Sequence, residues 1–285
     1  MSYHLQPIKK TFAASVTGIS LKSITQEDFK SLYKDWLKYA LLIFPDQHLS
    51  NKEQIEFAKL FGVMEYDISE LSNVNKDGSV RDPEDDDYVK MLKGNIEWHH
   101  DSTYMPIQAK GSVFTAHTVP SNGGQTGWAD CRASYKALDS YQKKKIENLS
   151  AYHSYEFSQK DRYGHKSSED SEFSGYGFDV DPKPLRPLVK VHPETGIKCL
   201  TIGRHIYKIP GLEDEEARRL AKELEDFTLS KEEWVYHHNW KEGDAVVWDN
   251  RCLIHQACPW DYSEPRIMFH SRISGHKESE LAINY

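Results

Sequence analysis

Apolar residues recur at Phe29, Leu32, Tyr33, Trp36, Leu37 and Ala40, the three-and-four spacing that gives a helix one apolar face. Leu41-Leu42-Ile43-Phe44 follows at once and has no polar position, which predicts a short buried strand stopped by Pro45. Ser50 with Glu53 three residues on is a capping-box pattern; the helix it opens should end before Gly62. A third amphipathic helix fits Ala217, Leu220, Leu224 and Phe227, with Glu213, Asp214, Glu215 and Glu216 at its positive end.

Between and after these helices lie short β-rich runs: Val113–Thr118, Pro187–Val191, Cys199–Ile202, Trp234–Trp240, Ala245–Trp248, Leu253–His255 and Arg266–Ile273. Their number and spacing predict a mainly β fold, an antiparallel sandwich or barrel flanked by helices. No internal repeat is evident. Two polar stretches interrupt the pattern, residues 73–87 with the acidic Pro83-Glu84-Asp85-Asp86-Asp87, and residues 158–184, rich in Ser, Gly, Asp and Tyr. Loops of this length in a compact fold are either disordered or serve as lids over a site, and both outcomes stay open here.

Composition narrows the function without naming it. A chain of 285 residues is long enough for one large β domain, so residues 1–285 are expected to form a single domain. With 38% hydrophobic and 28% charged residues it should fold unaided. A net charge of −8 argues against a nucleic-acid partner, and Lys143-Lys144-Lys145 reads as the solvated side of a helix. Cys131, Cys199, Cys252 and Cys258 form no CxxC pair and are expected to be reduced thiols. The first dozen residues lack the pattern of a secretory signal, and no segment nears the roughly 20 apolar residues of a membrane span. A cytoplasmic protein acting on a small molecule is the expectation, with self-association left open.

Candidate chemistry begins at residues 98–104, WHHDSTY. On a strand, side chains alternate, so His99 and Asp101 would share a side and grip one ion while His100 faces away. An imidazole and a carboxylate suit a first-row divalent metal, and two histidines with one carboxylate suit non-haem Fe(II) with positions left open. Alone, the tripeptide reads first as a surface strand with a local His/Asp hydrogen bond. The segment GDAVVWDNRCLIHQACPWDYSEPRIMFHSRISG, residues 243–275, changes the balance: it reads strand, turn, strand to His255, then a Pro-containing loop and a strand starting at Arg266. A barrel whose first and last halves pair would bring His255 beside Asp101.

These blocks, together with LLIFPDQHLSNKEQIEFAKLFG and the run from Trp98 through GGQTGWADCRASYKALD, resemble the taurine / 2,4-dichlorophenoxyacetate dioxygenase family of Fe(II)- and 2-oxoglutarate-dependent oxygenases. The similarity runs nearly end to end, and the central block is closer to the aryloxyalkanoate-cleaving branch. The resemblance implies a double-stranded β-helix, a relative of the jelly roll. It implies that His99, Asp101 and His255 hold iron and that Arg266 and Thr126 hold the distal carboxylate of 2-oxoglutarate. It also implies the reaction: 2-oxoglutarate and O2 become succinate and CO2 while a nearby C–H bond is oxidised. Arginine suits the anchoring role because its planar fork pairs bidentately with a carboxylate and stays charged. Gly123-Gly124 then reads as a turn that lets Thr126 approach the cosubstrate.

Asp101 argues for hydroxylation over halogenation, since halogenating relatives lack a carboxylate there. Trp98, Trp128 and Trp248 read as core, His100 as structural, and His237-His238 as core or surface without a carboxylate partner. On the last strand Arg266, Met268, His270 and Arg272 share a face expected to look into the site. Family members acting on taurine or aryloxyacetates carry an arginine at the position of His270, which makes the acidic anchor an open question. Three readings stand: Arg272 or Arg204 replaces it, the substrate is neutral or zwitterionic, or His270 donates a hydrogen bond to a carboxylate. Glu70, placed in the lid region, disfavours a sulfonate such as taurine. Two alternatives stand beside hydroxylation: the same iron site performing desaturation or oxidative decarboxylation of an amino-acid-derived substrate, and a non-catalytic 2-oxoglutarate or metal sensor.

Overall fold

The structure is a computed structural model that describes residues 3–161 and 176–285. Its largest sheet has seven strands in the order His4–Pro7, Ala14–Thr17, Leu41–Phe44, Ala245–Asp249, Ala109–Thr118, Ile267–Ser274 and Met64–Ser72. All neighbours are antiparallel except Ala14–Thr17 and Leu41–Phe44. A three-stranded antiparallel sheet, Val235–His238, Thr126–Asp130 and Leu253–Ala257, completes the frame around the site.

The large sheet is buried on both faces, which explains why its central strands carry no polar alternation. On one face Leu42, Phe44, Val113, Ala245 and Val247 pack under the helices Gln26–Tyr39 and Asn51–Lys59, against Leu32, Trp36 and Phe57. On the other, Leu41, Ile43, Phe114, Val246 and Trp248 meet Trp128, Ala129, Leu253 and Ile254 of the small sheet. The predicted capping box is present: Glu53 N–H donates to Ser50 Oγ, and Ser50 N–H donates to the Glu53 carboxylate. The third predicted helix spans Asp214–Leu229 and buries Ala217, Leu220 and Leu224.

Three strand expectations are redrawn. Pro187–Val191 divides at Leu188, whose N–H donates to Leu149 O, so Leu185–Pro187 and Val189–Val191 join different sheets. The Cys199–Ile202 strand ends at Leu200, and the chain turns there to carry Arg204 and His205 inward. The Trp234–Trp240 run opens as a single tight helical turn, Glu232–Trp234, before the strand Val235–His238.

The acidic loop is tied down. Asp82 accepts from the N–H groups of Glu84 and Asp85, and Asp86 caps a helix over Asp87–Gly94 by accepting from Tyr88 and Val89. Asn73 fastens the other end, donating to Tyr262 O and Glu264 O and accepting from Arg266 N–H. Most of the second polar stretch, residues 162–175, lies outside the described residues; Tyr176 and Phe178 beyond it pack on Tyr104 and Tyr155.

Candidate active site

All eight residues singled out from the sequence line one cavity of about 320 Å³ between the two sheets: His99, Asp101, Thr126, Arg204, His255, Arg266, His270 and Arg272. Its remaining wall is largely aromatic and includes Tyr66, Tyr104, Phe114, Tyr155, Tyr176 and Trp248.

Strand alternation is not what joins His99 to Asp101. His99 is held by an isolated bridge to His255, His99 N–H to His255 O at 2.9 Å and His255 N–H to His99 O at 2.8 Å. Asp101 stands in the turn that follows, where Ser102 adopts a positive φ of 54°. Asn250, buried in the turn before the His255 strand, fixes that turn. Its side chain accepts from Asp101 N–H at 2.7 Å and donates to Asp101 O and Ala109 O, both at 2.9 Å. Its carbonyl meets His100 Nδ1 at 2.7 Å, so His100 is structural as expected. Gly203, at φ +115°, lies against the same segment: a Cβ there would stand 2.7 Å from Trp98 O, so only glycine lets Arg204 N–H reach Trp98 O.

The three donor groups point their free atoms at one another. One ligand atom each from His99, Asp101 and His255 lies within 4.8 Å of the others, and all three residues are buried. His99 Nδ1 is 2.7 Å from Glu97 O, which can only accept, so the ring proton sits on Nδ1 and Nε2 presents a bare lone pair to Asp101 Oδ1 at 4.0 Å. His255 Nε2 faces Asp101 Oδ2 at 3.7 Å. The bare lone pair of His99 facing a buried carboxylate is repelled unless a cation lies between them, and two nitrogens with one oxygen form a donor set suited to ferrous ion. Burial, with the neighbouring His255 and Arg204, lowers the pKa of His99 well below its usual value, keeping the ring neutral for coordination. Burial opposes ionisation of Asp101, but Arg272 at 2.8 Å, with the nearby histidines, outweighs it and holds the carboxyl well below the usual range.

A second cluster, His192, Asp249 and Cys252, has comparable spacing but a different use. His192 Nδ1 accepts from the N–H groups of Glu194 and Thr195, so its Nε2 carries the proton and donates to Asp249 at 2.9 Å. Arg251 pairs with both oxygens of Asp249, which leaves the carboxylate satisfied as a structural ion network.

Arg266 is buried and pairs with no carboxylate among the described residues; it donates to Gly124 O, and its Nε has no acceptor. Burial lowers its pKa to about 10, so it stays charged at neutral pH and calls for an anion. Thr126 Oγ1 accepts from Trp240 Nε1–H at 2.9 Å, which leaves the threonine proton free to donate. The Gly123-Gly124 turn is required: Gly124 has φ +67°, and a Cβ there would stand 3.2 Å from Arg266 Nε. A buried cation beside a free hydroxyl donor fits the distal carboxylate of a dicarboxylic keto acid.

Arg266, just before the last strand, and His270 and Arg272 on it do line the cavity, while Met268 joins the core. Arg272 is committed to Asp101 through Nη2 and to Ser102 Oγ and Tyr176 OH through Nη1, but its buried Nε has no acceptor. Burial, then Arg272, lowers His270 to about 3, so its ring is neutral. Arg204 reaches Gly94 O and lines the cavity.

Three sequence readings are corrected. Trp248 is not merely core: it stacks on His270 with centroids 5.6 Å apart and tilts against His255 at 4.9 Å. Glu70 is exposed on the Met64–Ser72 strand, off the cavity, and does not bear on a sulfonate there; Glu65 of the same strand binds Ser102 and Tyr176. His238 has a carboxylate partner, Asp244 at 2.9 Å. Sequence reasoning missed Asn250, Tyr66 and His205; Asn250 alone left a signal, as a turn-type residue between two strands.

Comparison with known proteins places this arrangement. Residues 4–271 match the model of the "Taurine catabolism dioxygenase TauD, TfdA family". The chain is 53% identical over 284 residues to an (S)-phenoxypropionate/alpha-ketoglutarate-dioxygenase of Sphingobium herbicidovorans, covering 99% of this chain and 98% of that protein. An enzyme of the same name from Delftia acidovorans is 48% identical, covering 98% and 97%. Among solved structures, AAD-2 in complex with Mn(II) and N-oxalylglycine superposes with a TM-score of 0.89 at 32% identity, covering 99% of each chain.

Proposed function

Given that the chain belongs to the TauD, TfdA family and is an Fe(II)- and 2-oxoglutarate-dependent dioxygenase, we propose that its substrate is a 2-aryloxyalkanoate, of the phenoxypropionate type named for its relatives. In this reading His99, Asp101 and His255 hold the iron, and Arg266 with Thr126 holds the distal carboxylate of 2-oxoglutarate. When bound, iron, 2-oxoglutarate and O2 supply the oxidising chemistry: the keto acid leaves as succinate and CO2, and one oxygen atom enters a substrate C–H bond.

The residues of the chain bind, orient and exclude. Arg272 holds Asp101 ionised, as a carboxylate ligand to iron would need to be. The aromatic walls offer faces and edges to an aryl ring and keep bulk water from the reacting carbon. Arg272, His270 and Arg204 face the substrate, and its carboxylate takes the donors that the protein leaves without acceptors. Hydroxylation at the carbon bearing the ether oxygen then gives a hemiketal, whose collapse releases a phenol and a 2-oxo acid.

The observation that carries this reading is the conjunction of aromatic walls with two buried nitrogens left without a hydrogen-bond partner among the described residues, Arg272 Nε and His270 Nε2. The experiment is substrate-stimulated succinate formation across both enantiomers of aryloxypropanoates, aryloxyacetates, taurine and alkyl sulfates, with phenol release measured alongside. An aryloxyalkanoate should stimulate turnover and yield phenol, and His255→Ala should abolish both. Stimulation by a sulfonate alone refutes the substrate class; succinate persisting in His255→Ala refutes the iron assignment.

We also read the two facing sheets as a double-stranded β-helix and residues 1–285 as one domain. Four free cysteines support a reducing compartment such as the cytoplasm.

A further inference from the structure

His270 occupies the position where the resemblance leads one to expect arginine, and a second residue decides what it can do. Tyr66 OH lies 3.1 Å from His270 Nδ1. Among the described residues the phenol has no other partner, and burial raises its pKa well above the usual value, so its proton has one acceptor, Nδ1. Nδ1 therefore accepts, and the imidazole proton sits on Nε2. The ring is held by Trp248 stacked on one side and the edge of Phe114, with centroids at 5.6 Å in each case.

We propose that Tyr66 is a positioning residue that fixes His270 as a neutral Nε2–H donor, and that this N–H, with the Nε–H of Arg272, forms the seat of the substrate carboxylate. The seat rests on the aryloxyalkanoate reading above; the tautomer does not. The same bookkeeping gives His205 the opposite polarity. Ser158 Oγ donates its single proton to Tyr155 O at 2.9 Å and must accept from His205 Nδ1 at 2.8 Å, so His205 turns a bare Nε2 lone pair toward the cavity. An anion avoids such an atom, and the carboxylate is directed to the His270 and Arg272 side.

The test has two independent arms. In the zinc-loaded full-length protein with 15N-labelled histidine, assigned through His270→Gln, the His270 signals should show the proton on Nε2, and Tyr66→Phe should move it toward Nδ1. A proton on Nδ1 in the unsubstituted protein overturns the proposal. In kinetics, Tyr66→Phe should raise KM for the aryloxyalkanoate by about tenfold, one buried hydrogen bond's worth, without moving KM for 2-oxoglutarate. In a His270→Gln background, whose amide donates without help from Tyr66, the same substitution should add nothing; an equal loss in both backgrounds overturns the positioning role. If Tyr66→Phe fails to fold, the spectrum of the unsubstituted protein decides. If no aryloxyalkanoate is turned over, the substrate reading and the seat fall together, while the tautomer still stands or falls on the spectrum.

Discussion

Asn250→Ala separates the scaffold of the site from its ligands, because Asn250 touches none of the proposed iron-binding atoms. The substitution removes three hydrogen bonds, to Asp101 N–H, Asp101 O and Ala109 O, all among buried residues. At about 1 kcal/mol net per bond, the loss is about 3 kcal/mol of stability. For a chain of this size that corresponds to a fall in Tm of roughly 5–10 °C. The larger consequence is local. Ser102 holds a left-handed conformation at φ 54°, which a non-glycine residue keeps only while its surroundings enforce it, so the turn should relax and carry Asp101 away from His99 and His255. Loss of such outer support typically weakens metal binding by roughly 10- to 100-fold. Thermal unfolding of the metal-free variant measures the first quantity and equilibrium Fe(II) or Co(II) titration the second. A variant that melts lower yet binds metal as tightly as the parent would show that Asn250 supports the fold alone, and the reasoning would fail.

Arg266→Lys keeps the charge but loses the fork, so KM for 2-oxoglutarate should rise by roughly tenfold or more while KM for the primary substrate stays put; initial rates of succinate formation decide this, and an unchanged 2-oxoglutarate KM would remove Arg266 from the role. Acid stability gives another test. His153 is buried, neither ring nitrogen has a hydrogen-bond partner among the described residues, and burial lowers its pKa well below the usual value. The folded state keeps this ring neutral while the unfolded chain protonates it below about pH 6.5, so stability is full above that pH and is lost as pH falls. Denaturant midpoints should therefore decline from about pH 6.5 downward, and His153→Leu should lessen the slope; a midpoint flat to pH 5 would contradict the assignment.

Much of this architecture was legible because local rules and tertiary packing agree. Ser50 and Glu53 cap the helix they were expected to cap, and Leu41-Leu42-Ile43-Phe44 is buried on both faces, as an uninterrupted apolar run requires. The metal-type residues were identifiable by kind, yet the reason given for their convergence was wrong. Strand periodicity places His99 and Asp101 on one side, whereas the molecule uses a cross-chain bridge and a left-handed turn, which depend on partners about 150 residues away that no local pattern displays. Trp248 was assigned to the core because aromatic residues beside strands usually belong there, and only the placement of His270 against its face shows otherwise. Tyr66 and His205 carry no motif at all. Their significance arises from hydrogen-bond accounting across tertiary contacts.

The paired backbone bridge between His99 and His255 has a consequence for how the protein can be handled. Because main-chain hydrogen bonds hold the two imidazoles in register, the spacing of the pair is already established before any ion arrives, and loading demands little rearrangement of the polypeptide. Chelation should thus empty the centre without unfolding the chain, and replenishment should restore it in the same tube, with no refolding phase between.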